Sequence, residues 1–176
     1  MDGKGKGIFP GGEVYEGDWK VGKLDGKGRF EWPNGNVYEG DFSGNKIQGK
    51  GKLRYSDGRI YEGDWKNWKM NGKGKIIFTK GDVYEGGWKD GLWEGKGKMI
   101  YADGDIYEGS WRNCKKEGKG KMVFKNGGVY EGNWREDHLE GKGKMMYTDG
   151  RIYEGFWKND QVMSKRRIKN KKKSVC

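Results

Sequence analysis

Val14-Tyr15-Glu16-Gly17-Asp18-Trp19, followed after a short connection by Gly26-Lys27-Gly28-Arg29-Phe30, is the stretch whose reading decides the fold. Its side chains alternate with period 2, the signature of extended strands whose residues point to opposite faces of a sheet. The same stretch recurs. Tyrosine stands at Tyr15, Tyr38, Tyr61, Tyr84, Tyr107, Tyr130 and Tyr153, a constant spacing of 23 residues, and each is followed by Glu-Gly. An aromatic comes two residues after each of those glycines, from Trp19 and Phe42 through to Trp157. Gly-Lys-Gly keeps the same period from Gly26-Lys27-Gly28 to Gly141-Lys142-Gly143, and Gly3-Lys4-Gly5 holds that column one period earlier.

Connections such as Pro33-Asn34-Gly35 and Ala102-Asp103-Gly104 are hairpin turns by composition. A two-residue turn would pair position 32 with 37, and a type I turn with a glycine bulge pairs 32 with 36. Charge decides between them. The bulged register sets Arg29 against Glu39, Lys27 against Asp41, and Lys52, Lys75, Lys98, Lys121 and Lys144 against Glu62, Glu85, Glu108, Glu131 and Glu154. Each opposite-charge pair contributes about 0.2–1 kcal/mol, and a one-residue slip loses the whole set. For the connection from Lys20 to Asp25, pairing Trp19 with Gly26 and Tyr15 with Phe30 keeps the repeated residues on one face. The expected fold is all-β: an elongated single-layer antiparallel meander of about fourteen strands, with rings over glycines on one surface and a Lys/Glu lattice on the other. At about 4.8 Å per strand it would extend roughly 65 Å.

These residues resemble the MORN repeat (membrane occupation and recognition nexus), Tyr-x-Gly-x-Trp then Gly-x-Gly on a 23-residue period, from Gly3 to Trp157. The resemblance implies stacked β-hairpins with no catalytic activity or cofactor, acting as a scaffold through protein contacts, membrane or phosphoinositide contacts, or both.

Composition agrees with a repeat array. The 176 residues are only 32% hydrophobic, yet 14% are aromatic and 35 are glycine, which disfavours long helices. The two cysteines make no disulfide framework and suit a reducing compartment. No apolar run is long enough for a membrane-spanning helix. The lone His138 and the scattered cysteines have no metal-ligand spacing. Gly-Lys-Gly lacks the strand–loop–helix setting of a phosphate loop, and the repeated glutamates have sheet partners, so no catalytic set emerges.

Function is sought where a column is broken. Trp68 and Trp93 replace smaller residues in the turns, either as exposed anchors for a partner or as rings folded over a neighbouring loop. Phe156 takes the outward column of Asp18 and Asp41 on what reads as the last strand, where an unpaired edge invites strand addition or an edge-to-edge homodimer; packing beneath the tail is the alternative. The array is expected to span 1–163. From 164 to 176 a disordered basic tail carries Lys165, Arg166, Arg167, Lys169, Lys171, Lys172 and Lys173, seven of the net +11 charges. The tail reads as a binder of anionic lipid, as a nuclear-import segment or as a solubilising extension, with Cys176 a weak lipidation candidate. The remaining +4 argues against nucleic acid along the array.

The leading expectation is a scaffold or adaptor that holds a peptide or helix of another protein in an aromatic groove. It would be cytoplasmic, at a membrane surface or on the cytoskeleton. The alternative is a phosphoinositide- or anionic-lipid-binding module working through its lysine lattice and basic tail.

Overall fold

In the computed structural model, residues 2–168 are described. They form fifteen strands whose order in the sheet is their order in the chain, an antiparallel meander. The first eight are β1 (Gly3–Ile8), β2 (Val14–Lys20), β3 (Lys23–Glu31), β4 (Val37–Ser43), β5 (Lys46–Arg54), β6 (Ile60–Lys66), β7 (Lys69–Ile77) and β8 (Val83–Lys89). The rest are β9 (Leu92–Ile100), β10 (Ile106–Arg112), β11 (Lys115–Val123), β12 (Val129–Arg135), β13 (His138–Met146), β14 (Ile152–Lys158) and β15 (Gln161–Ile168). Two compact units are distinguished, Met1–Trp93 and Glu94–Cys176.

The charge-based register holds. Phe30 faces Tyr38, Arg29 faces Glu39 and Lys27 faces Asp41. Lys52–Glu62, Lys75–Glu85, Lys98–Glu108, Lys121–Glu131 and Lys144–Glu154 are likewise opposite one another. The turns are the bulged kind: Trp32 N donates to Asn36 O at 3.0 Å, and Gly35 takes a φ of 85° that favours glycine.

The other connection departs from expectation. Trp19 pairs with Leu24, not Gly26, and Lys20 pairs with Lys23 around a two-residue turn at Val21–Gly22. Both turn residues have positive φ, 49° and 70°, as a type I′ hairpin requires. The strand absorbs the surplus as a bulge across from Asp18, whose Oδ2 accepts the Lys27 amide at 2.9 Å. Asp41 and Asp64 cap the Lys50 and Lys73 amides in the same way, each at 2.8 Å. The strand total is accordingly fifteen rather than fourteen, because Gly3–Ile8 and Gln161–Ile168 both pair.

The core is one layer of rings. Tyr15, Tyr38, Tyr61, Tyr84, Tyr107 and Tyr130 are each 0% exposed. Tyr15, Tyr38, Tyr61, Tyr107 and Tyr130 each lie over a glycine: a Cβ at Gly120 would stand 2.6 Å from Cζ of Tyr107. Tyrosine hydroxyls donate to the carbonyl three residues on, as Tyr61 does to Asp64 at 3.0 Å. Indole NH groups of Trp65, Trp88 and Trp111 donate to Gly51, Gly74 and Gly97 carbonyls at 3.0–3.2 Å, so the polar ends of the buried rings are satisfied.

Candidate functional site

The rings of the tyrosine ladder are packed by aromatic neighbours. Within the first unit Tyr38 meets Phe42 and Trp65 edge-on at 5.3 and 5.2 Å, and Tyr61 meets Trp65 and Trp88 at 5.2 and 5.0 Å. Burial pushes the Tyr15 phenol up to about 12, the Asp18 carboxylate adding to it, and raises Tyr38 and Tyr61 further still. At these described rings of the first unit, where a groove is expected from sequence, Phe42 and the protein's own tryptophans pack against the tyrosines.

What stays accessible is a second aromatic column at the margin of this layer: Phe9, Trp32, Tyr55, Phe78, Tyr101, Phe124 and Tyr147, again 23 residues apart. Six are half-buried, and Tyr147 is exposed. The period that revealed the tyrosines would have found this column too, but its changing ring types hide it. Trp68 joins it. Its ring lies 6.4 Å from Trp32, 5.7 Å from Phe30 and 6.4 Å from Phe42, all edge-on, and it is still 39% exposed. Its φ of 67° is unfavourable for a bulky side chain, at a cost of about 1 kcal/mol or more. The two readings of Trp68 thus coexist in one residue, packed on one side and open on the other. Trp93 is half-buried and stacks on Tyr84 at 4.5 Å with an interplanar angle of 15°.

In the second unit the column of Leu24, Ile47 and Trp93 holds Lys116, opposite Trp111. Its ammonium lies 4.8 Å from the Trp134 ring, 5.5 Å from Tyr107 and 5.6 Å from Tyr101, a cation held by ring faces. Burial lowers its pKa, with Asp137, Asp160 and Asp105 opposing.

Phe156 is placed differently from expectation. It lies in β14, paired with Ser164 of β15, so it is not on an unpaired edge. It is 48% exposed on the charged face, with the Lys142 ammonium 5.7 Å above its ring. The edge strand is β15, and Lys165, Arg166 and Arg167 sit in it, within the segment expected to be a tail. Charges on an edge oppose pairing with another sheet, which weakens the edge-to-edge dimer. Lys169, Lys171, Lys172, Lys173 and Cys176 lie outside the described residues. His138 Nδ1 contacts Asp160 Oδ2 at 2.6 Å on the surface. Among the described residues no acidic, His or Cys cluster could hold a metal ion.

No curated protein matches the chain. Solved structures share its fold. The TCP domain of Drosophila melanogaster SAS-4 (dCPAP), in complex with a proline-rich motif of Ana2 (dSTIL), is similar at 14% identity and a TM-score of 0.52, over 94% of this chain and 89% of that one. The wild-type TCP10 domain of Danio rerio CPAP is similar at 14% identity and a TM-score of 0.54, over 88% and 73%. The MORN repeat profile matches residues 15–37, 38–58, 61–83, 84–106, 107–129, 130–150 and 153–161. With seven matched repeats on a ladder of tyrosines over glycines, the chain belongs to the MORN-repeat family.

Proposed function

We propose that this chain is a non-enzymatic interaction scaffold that holds an extended segment of a partner protein against its marginal aromatic column, with Trp32 and Trp68 as the principal contact. The observation that carries the reading is Trp68, kept at a positive φ and left 39% exposed beside Trp32. Pairs of partly open aromatic rings are what proline-rich, polyproline II segments dock against, because such segments lose little entropy on binding. The TCP domain of SAS-4, which shares the fold, was solved with a proline-rich motif bound. Trp93 and Phe156 are lesser contacts, Trp93 because Tyr84 already covers one of its faces.

Peptide display with a proline-rich library tests this directly. Wild-type protein should enrich a related set of sequences. Trp68→Gly, whose new residue suits the positive φ and stands at the same column as Gly22 and Gly91, should fold and lose that enrichment. Equal enrichment by both proteins would remove Trp68 from the function.

A second reading rests on β15, whose exposed Lys165, Arg166 and Arg167 would bring the scaffold to an anionic membrane surface from the cytoplasmic side. Sedimentation with phosphatidylserine vesicles should then fall when these three are changed to glutamine, and fall further with salt.

A further inference from the structure

The outward face of the sheet carries a lysine at the centre of every Gly-Lys-Gly, and the residue across from it changes along the chain. In the first unit Lys4 faces Asp18, Lys27 faces Asp41 and Lys50 faces Asp64, whereas Lys73 already faces Gly87. The ammonium groups of Lys27 and Lys50 sit 2.5 Å from those carboxylates. In the second unit the same position holds no acid. Lys96 faces Ser110, Lys119 faces Asn133 and Lys142 faces Phe156. Lys96 Nζ donates to Ser110 Oγ at 2.9 Å, and Lys142 lies over the Phe156 ring. All three lysines are exposed. The neighbouring row is unchanged: Lys98, Lys121 and Lys144 still face Glu108, Glu131 and Glu154. The second unit therefore presents one file of unneutralised ammonium groups flanked by a balanced file. Beside Lys142 the face forms a concavity of ≈ 650 Å³, lined among others by Lys144, Glu154, Phe156 and Arg166.

From this geometry we infer a binding site for an acidic polypeptide segment, extended across the strands along Lys96, Lys119 and Lys142, with Asp or Glu at every third position. Two arguments set the ligand class. The lysines recur every second strand, about 9.6 Å apart. A polyproline II segment has three residues per turn and a rise of about 3.1 Å per residue, so carboxylates three apart recur at about 9.3 Å along one side. The glutamate file supplies the second argument. A flat anionic membrane would press its charge on the glutamates as well as on the lysines, whereas a single chain stays over the lysine file. Phe156 adds an apolar contact at one end.

The test uses the full chain and a labelled peptide of about twelve residues, glutamate at every third position and proline between. A control of the same composition has its glutamates consecutive. The spaced peptide should bind more tightly than the control, and binding should weaken from low to physiological salt. The double variant Ser110→Asp/Asn133→Asp introduces the aspartate that Asp18, Asp41 and Asp64 supply at this position, so it should fold normally and bind the spaced peptide about tenfold more weakly. Equal binding of spaced and clustered peptides would overturn the site, as would a double variant that binds like wild type. Phosphatidylserine vesicles that bind wild type, lose affinity in the double variant and are not displaced by the peptide would assign the lysine file to lipid and equally overturn it.

Discussion

The hairpins headed by Tyr15 to Tyr130 and the last one, headed by Tyr153, share a sequence pattern and fold differently. In β12–β13, Gly132 faces Gly143 and Glu131 faces Lys144. One period later, Gly155 would face Arg166, but it faces Lys165, and Glu154 faces Arg166 instead. The strand has slipped by one residue. Arg166 lies on the charged face, where its Nη2 reaches Glu154 Oε2 at 3.4 Å. Lys165 then falls on the ring side, with its ammonium 5.2 Å from the Tyr153 ring. Tyr153 is only half-buried, whereas the six tyrosines before it are sealed. Where both glycine columns are lost the register shifts, although Glu154 keeps a basic partner.

The strongest test of that contrast is alkali. Phenols whose folded pKa is raised, about 12 at Tyr15 and Tyr130 and higher at Tyr38, Tyr61 and Tyr107, keep their protons after the unfolded chain has lost its own near 10. Their stabilisation is complete below about pH 10 and declines as pH rises through about 12, so tyrosinate absorbance should rise there in one cooperative step with loss of β-sheet circular dichroism. A gradual rise with the sheet intact would mean the ladder is not sealed.

Next comes Gly120→Ala, whose methyl would meet the Tyr107 ring; about 3 kcal/mol of stability should be lost in urea titration. Tyr130→Phe removes the hydroxyl bond to the Asn133 carbonyl, 3.2 Å long, and should cost about 1 kcal/mol. Ser164→Gly with Arg166→Gly restores both glycine columns of the last hairpin. It should move β15 back by one residue, set Arg167 across from Glu154, and alter cross-strand nuclear Overhauser contacts there while raising amide protection of Tyr153. An unchanged register would show that glycine alone does not place the strand. The smallest effect belongs to Lys50→Ala: its partner Asp64 is held low by the Lys50 ammonium and by the Lys73 amide, but the pair is exposed, and about 0.5 kcal/mol or less should be lost.

The register between successive repeats was readable because alternation and charge agree there, as at Arg29–Glu39. The two-residue turns were not. Asn67-Trp68 and Asn113-Cys114 adopt positive φ without glycine, so composition alone gave no sign of a type I′ turn or of the compensating bulge. From 164 onward the sequence reads as a tail because the glycine columns are lost at Ser164 and Arg166, and pairing by a one-residue slip leaves no periodic trace. The marginal aromatic column did leave one, mixed among Phe, Trp and Tyr. The lysine file needed the register first, since only cross-strand partners reveal which ammonium groups lack an acid.

Several of the two-residue turns are tied backward. Asn45 N donates to Leu24 O, Trp68 N to Ile47 O, Asp137 N to Lys116 O and Asp160 N to Leu139 O, at 3.0–3.2 Å. A hairpin inserted whole between two others would find an acceptor waiting behind it and offer one to its successor. Tandem duplication can therefore alter copy number in steps of one cassette with no compensating mutation, and evolution is free to specialise individual cassettes, as this chain does at Trp68 and at Phe156, while the joints between them stay interchangeable.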